Sequence, residues 1–225
     1  MTGRPPLPVL VVRALIALAV EAALLVWGMG GLAALAASPR ALALLAIWGV
    51  TGLVLSLSRP TRAHDTVHAE RDPLRLFALA LLPLAIPGVA AYGGRVGLWP
   101  LPAPEVFGWT GVALSALGLW IRVSAMRQLG ARFSPLVALQ REHTLETTGW
   151  YAHVRHPGYL GALLASLGAA ITFGSALALP LLAAMAWFQW RRVRHEEAVL
   201  AGRFGDGWRA YAARTGALLP RLLGR

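Results

Sequence analysis

Two polar clusters bracket a long apolar stretch in the last third of this 225-residue chain. The first reads Arg155-His156-Pro157-Gly158-Tyr159-Leu160-Gly161, and the second reads Arg191-Arg192-Val193-Arg194-His195-Glu196-Glu197. Between them they carry guanidinium, imidazole, phenol and carboxylate groups. A hairpin in a membrane would bring its two ends to the same face, and that chemistry suits a charged cofactor held at the edge of a bilayer. Pro157 is well placed as the first residue of a helix. The free N–H groups of such a start attract anions. Arg155 and His156 add donors just before it, Tyr159 lies on the first turn, and Gly161 lets something approach the backbone closely. The second cluster places adjacent acids where they can accept hydrogen bonds from a ribose diol or pair with an ammonium group. Either cluster alone also reads as an interface anchor or a solvated helix end, whose ion pairs add little to stability. It is the pairing of the two across a short hairpin that points to a site.

The elements that must position these groups are apolar helices. The chain is 57% hydrophobic and 14% charged, against about 25% charged for ordinary soluble domains. Its apolar residues fall in runs long enough for the roughly 20 that a helix needs to cross hydrocarbon. The expected fold is all-α: a polytopic transmembrane bundle of about six spans, the last two forming a short helical hairpin, followed by an interfacial helix. One membrane domain, 1–225, is expected, with N-terminal spans over 1–105 and the site-bearing core over 106–225.

Span 1 lies within Leu7 to Ala36, with Glu21 in its middle. Such a carboxylate is costly unless it faces the bundle interior, and Arg122 is a candidate partner by depth. This first segment is too long for a signal-peptide core and lacks a clear cleavage site, so it reads as a retained span. Ser38-Pro39-Arg40 reads as a tight turn. Span 2 runs from about Ala41 to Leu57, span 3 from Leu74 to Tyr92 with kinks expected at Pro83 and Pro87, and span 4 from Val106 to Ala125. The apolar stretch after Pro157 reaches Trp190. Its 33 residues would be about 50 Å as one helix, too long for a single crossing. Two short helices are expected, Pro157 to Phe173 and Ala176 to Trp190, joined at Gly174-Ser175. Beyond them, Ala201, Phe204, Trp208 and Tyr211 share one face of a further helix lying along the interface, with a break expected near Gly202, Gly205 and Gly207.

Charge supports this topology. The net charge is +11, and all 21 basic residues are arginine. With six spans, the 58–72 loop, the 126–156 loop and the tail fall on one side and hold most arginines, whereas the opposite loops hold Arg40 and Arg95. The positive-inside rule puts the arginine-rich face, both termini and the site in the cytoplasm, which fits an inner or plasma membrane protein. Arginines at the ends of apolar runs meet anionic headgroups rather than nucleic acid, so no nucleic-acid partner is expected. The absence of cysteine excludes disulfides, thiolate catalysis and Cys-zinc sites. His64 and His68, spaced i, i+4 beside Asp65, Glu70 and Asp72, could suggest a metal, but they fall in a charged loop and read as solvated. No metal is expected. A transporter would place polar groups at mid-membrane and often repeat its halves. Here the polar groups lie at one face and no repeat is visible.

The pattern Gly149-x-Tyr151-x-x-Val154-Arg155-His156-Pro157-x-Tyr159-x-Gly161 is followed by Arg192-Val193-x-x-Glu196-Glu197 and then by Phe204-Gly205-x-x-Trp208-x-x-Tyr211. Together these resemble the isoprenylcysteine carboxyl methyltransferase family, which is related to the phospholipid methyltransferases of membranes. The likeness runs from about Gly118 to Pro220. Gly118, Arg122, Leu129, Gly130 and Phe133 fit the looser upstream pattern, while the first hundred residues match only as apolar spans. The resemblance implies an S-adenosylmethionine-dependent methyltransferase without a Rossmann domain, acting on a lipophilic or lipidated acceptor drawn from the membrane. Isoprenylcysteine-type carboxyl O-methylation leads, and phospholipid N-methylation or an NADPH-dependent sterol-type carbon–carbon reduction of the related fold are the alternatives. It implies that Tyr151, Arg155, His156, Tyr159 and Gly161 hold the cofactor, that Glu196 and Glu197 close the pocket, and that Arg192 faces the acceptor, with Arg192 and Glu196 catalytic. Trp150 replaces the usual Pro, and Trp208 stands where Tyr is commoner. Trp208 also fits the related sterol carbon–carbon reductases, which use NADPH. Those carry an Asp-Glu pair and a nearby Cys, where this chain has Glu-Glu and no Cys.

Overall fold

The computed structural model describes residues 7–57, 73–130 and 145–221, and among these it is all-α. The metal reading of His64 and His68 lies outside the described residues. Helix α1 (Leu7–Met29) ends at Gly30-Gly31, both at positive φ, and a short α2 (Leu32–Ala36) follows. Span 1 lies within Leu7 to Ala36 as expected and stops at the glycines. Helix α3 (Pro39–Leu57) starts on a proline. It is capped by Ser38, whose Oγ accepts the Ala41 N–H at 3.3 Å. Helix α4 (Pro73–Val96) continues through both Pro83 and Pro87, and α5 spans Pro104–Leu129. Helices α1, α3, α4 and α5 are each long and apolar enough to cross a bilayer. Their outward faces expose Leu15, Ile16, Val50, Phe77 and Val106, as a chain solvated by lipid should.

The last two helices depart from the expected hairpin. Helix α6 (Pro157–Ile171) is close to expectation. The turn after it runs through Gly174-Ser175, but α7 starts only at Leu179 and continues to Arg214. Residues 191–201 contain no helix breaker, so the sixth apolar segment runs on helically into the polar tail, and α7 is two helices that meet across a kink at Gly205. The separate interfacial helix is absent before Gly205. That residue, at φ 52° and ψ −121°, adopts a conformation open to glycine and bends the helix there. The face read from the sequence is present: Trp208 and Tyr211 are buried, and Arg203, Asp206, Arg209 and Arg214 are exposed.

Two sets of contacts hold the ends of the bundle. At the end away from the polar clusters, Arg40 donates to the Pro104 carbonyl at 3.1 Å and pairs with Glu105 at 3.3 Å. There Arg95 donates to the Gly28 carbonyl at 3.0 Å, and the 98–101 and 174–176 segments exchange backbone hydrogen bonds. At the other end the chain after α7 returns beside the start of α6. The Arg155 and His156 N–H groups donate to the carbonyls of Gly216 (2.8 Å) and Ala217 (3.0 Å).

Between them, α5 and α6 meet along a seam of small residues. Gly111, Ser115 and Gly118 face Gly161, Ala165 and Gly168. Without an apolar driving force between helices in lipid, such close backbone approach is what holds them together. A Cβ on Gly161 would collide with the Gly118 carbonyl and the Arg122 backbone, and one on Gly118 would collide with Gly161 and Ala165.

Candidate active site

The seam sets the register of everything above it. With Gly161 pressed on Gly118, the guanidinium of Arg122 reaches the Gly158 carbonyl in the first turn of α6 at 2.9 Å. Tyr159 then points across to α7, where its hydroxyl donates to Glu196 Oε2 at 2.9 Å. The His156 ring stacks on Tyr159 with centroids 5.6 Å apart. Its Nδ1 lies 3.9 Å from Glu196 Oε2 and its Nε2 lies 3.3 Å from Glu197 Oε1. The Arg192 guanidinium sits 5.6 Å from the centre of the Tyr159 ring. The hairpin thus brings His156, Tyr159, Arg192, Glu196 and Glu197 into one ring of contacts.

Three other residues singled out from the sequence sit behind that ring. Arg155 Nε donates to Glu197 Oε1 at 2.7 Å, and its Nη1 donates to the carbonyls of Ala212 (3.1 Å) and Thr215. With its side chain 11% exposed, it fastens Glu197 to the returning tail. The Tyr151 hydroxyl reaches the Ala125 carbonyl at 3.4 Å, and its own carbonyl accepts from Tyr211 at 2.7 Å, so Tyr151 props the loop against α5 and α7. The close approach expected at Gly161 is made by helix α5 and not by a small molecule. The anion cradle of free N–H groups is also reduced. Pro157 has no N–H, and those of Tyr159 and Leu160 turn back to the His156 carbonyl. Side chains, not the helix start, supply the charge. His153 is exposed. Among the described residues no group of three or more His, Asp or Glu could hold a metal.

Glu197 lies beyond the apolar part of α7. Burial pushes its pKa up, but the contact with His156 and the hydrogen bond and charge of Arg155 outweigh this and hold it at about 2. Its folded value lies below its ordinary 4.5, so its contribution to stability is fully present above 4.5 and is lost as pH falls through 2. The melting-temperature difference between wild type and Glu197→Gln should shrink as pH falls from about 5 towards 2, by the same linkage. A difference unchanged over that acid range would contradict the pairing.

A cavity of about 490 Å³ opens from this ring into the bundle, a volume typical of small-molecule sites. Tyr159, Arg122 and Arg192 form its polar end, and Leu76, Leu79, Pro83, Leu119, Ala165 and Met185 make much of its apolar wall. Glu21 and Gln189 also line it. The partnership suggested between Glu21 and Arg122 is realised as a shared cavity, with no ion pair between the two among the described residues. Gln189 escaped the sequence analysis. The signal was its spacing: Met185, Gln189, Arg192 and Glu196 recur at helical intervals on one face of α7.

Fold and site together define an integral membrane helical protein with a charged pocket where a helical hairpin leaves the apolar core. Residues 111–202 match the isoprenylcysteine carboxyl methyltransferase (ICMT) family. The protein-S-isoprenylcysteine O-methyltransferase of Schizosaccharomyces pombe is 36% identical over 119 residues, 52% of this chain and 50% of that protein. The Arabidopsis thaliana protein-S-isoprenylcysteine O-methyltransferase B is 32% identical over 113 residues, 49% and 57% of the two chains. The human protein-S-isoprenylcysteine O-methyltransferase is 31% identical over 118 residues, 51% and 42%. The chain spans about half the length of these relatives. A solved structure of the eukaryotic intramembrane Ras methyltransferase ICMT shares the fold, with a TM-score of 0.53 and 23% identity over 88% of this chain and 73% of that one.

Proposed function

We propose that the protein is an integral membrane methyltransferase that uses S-adenosylmethionine to methylate the carboxylate of a lipophilic, isoprenylcysteine-like acceptor. The observation that carries this reading is the continuity of the site. Tyr159 and Arg192 belong both to the charged ring and to the mouth of the apolar cavity. The ring suits a cationic donor: two carboxylates and a phenol, beside a buried His156 Nε2 with no well-aligned hydrogen-bond partner among the described residues. His156, Tyr159, Glu196 and Glu197 would hold that donor. Arg155, Tyr151 and Gly161 would act as positioning residues, through Glu197, the 149–152 turn and the α5 seam.

When bound, S-adenosylmethionine supplies an activated methyl group on a sulfonium. The protein's part is to align, orient and exclude water. Arg192, with Arg122 behind it, would orient the acceptor carboxylate at the polar end of the cavity, and the apolar wall would take the lipid tail from the bilayer. A carboxylate is already a nucleophile, so no proton need move. With an amine acceptor, Glu196 would be placed to take one. Residues 106–225 form the core of this reading, with 1–105 completing the cavity wall in a single domain. The arginine-rich end, which carries Arg127, Arg155 and Arg191 to Arg221, would face the cytoplasm, as would the termini and the donor site.

Arg192→Lys keeps the charge but loses the planar fork that grips a carboxylate. Turnover should fall on the order of 100-fold, with S-adenosylmethionine affinity nearly unchanged. An equal fall in donor affinity would move Arg192 out of the acceptor role. The function itself is tested by incubating membranes containing the protein with methyl-labelled S-adenosylmethionine. Label is expected in a lipophilic, base-labile ester. Label confined to base-stable lipid amines, or no transfer at all, would overturn the carboxyl assignment.

A further inference from the structure

The cavity is not uniformly apolar, and its polar wall groups are unevenly served. Gln189 is 4% exposed, and among the described residues no group hydrogen-bonds its Oε1. A buried amide left in this way is destabilising, so a folded bundle has reason to avoid it. It sits in an apolar stretch of α7 where leucine would pack without that penalty. It also lies in the wall of the cavity, together with Ser166 from α6 and the Glu21 carboxyl from the middle of α1. Both Gln189 Oε1 and a Glu21 carboxyl oxygen can accept a hydrogen bond.

Position along α7 locates the group they await. Gln189 lies three residues before Arg192 on the same face, about 4.5 Å deeper into the bundle. A carboxylate at Arg192 would therefore extend past Gln189 after three or four bonds. We infer that the cavity recognises an acceptor carrying a hydrogen-bond donor, an amide N–H or a hydroxyl, three or four bonds from its reacting carboxylate, with Gln189 as the specificity-determining residue. Smooth hydrocarbon chains, whether isoprenoid or acyl, would leave Gln189 unserved and bind less well. This assignment rests on the acceptor reading of the cavity given above.

The test uses two ligands that differ by one atom group. N-(farnesylthioacetyl)-β-alanine carries the N–H three bonds from its carboxylate carbon, and its ester analogue has an oxygen in place of that N–H. Each is titrated calorimetrically into the full chain in detergent without S-adenosylmethionine, and methyl transfer to each is measured in parallel. Wild type should bind the amide about tenfold more tightly than the ester, the value of one hydrogen bond to a buried group. Gln189→Leu should bind the two equally. Equal binding of both ligands by wild type, or a tenfold preference that survives in Gln189→Leu, overturns the proposal. Because the wild-type comparison needs no variant, poor folding of Gln189→Leu would not shelter it. A Gln189-dependent preference without any methyl transfer keeps the donor-recognition site and overturns the methyl-transfer reading instead.

Discussion

Gly161→Val is expected to separate α6 from α5 and to abolish the folded hairpin. The new Cβ would occupy the space of the Gly118 carbonyl and the Arg122 backbone. Backbone cannot swing aside as a side chain can, so the helices must part. Parting removes the Arg122 hydrogen bond to Gly158 and displaces Tyr159 from Glu196. Overpacking a core usually costs about 1–3 kcal/mol. Here the obstacle is rigid and several contacts fail together, so the loss should be on the order of 4 kcal/mol or more. Thermal melting of the detergent-solubilised protein reads it directly. Gly161→Ala should be milder but still destabilising, and Gly158→Ala, where a Cβ meets open space, should be nearly neutral. A Gly161→Val protein that melts like wild type would mean the seam is looser than the geometry described here.

Glu197→Gln is expected to lower S-adenosylmethionine affinity at least about 100-fold, the equivalent of one or two charge-assisted hydrogen bonds. Two effects add. The carboxylate that faces His156 is lost, and the Arg155 guanidinium keeps its charge in a poorly exposed place with no counter-ion. The second effect should also loosen the tail, because Arg155 carries the carbonyls of Ala212 and Thr215. His156→Ala should weaken donor binding similarly but leave the Arg155–Glu197 pair intact, so its melting temperature should fall less. Calorimetric titration and thermal melting of both variants separate these contributions. Normal donor titration in both would remove the site from this end of the hairpin.

Much of this architecture was legible in the residues, and the parts that were not share a cause. Apolar runs beginning at Pro39, Pro73, Pro104 and Pro157 mark four helix starts, since proline has no N–H to leave unpaired there. The pairing of the Arg-His-Pro segment with Glu196 and Glu197 followed from hairpin geometry alone. Side-chain direction did not follow. Gly161 signals a close approach, but spacing cannot say whether a ligand or a helix approaches, and here it is α5. Arg155 signals a cation, but the tail that returns to consume it is joined through backbone contacts at Gly216 and Ala217, which leave no pattern in composition. The length of α7 was missed because apolar and polar halves were read as separate elements, although helix propensity is unbroken across Trp190 to Ala201. Gln189 was missed for the opposite reason. One amide in an apolar run disturbs no average, and it stands out only once its unserved carbonyl oxygen is seen in the cavity wall.

The charged ring at the start of α6 and the end of the apolar part of α7 is the core of this account, and covalent capture of the donor tests it most directly. Ultraviolet crosslinking of radiolabelled S-adenosylmethionine to the full chain in membranes, followed by peptide mapping, should place the label within 156–161 or 192–197. Excess unlabelled S-adenosylmethionine should abolish it. Label mapping to α1, α3 or α4, or capture displaced by NADPH and not by S-adenosylmethionine, would contradict the account.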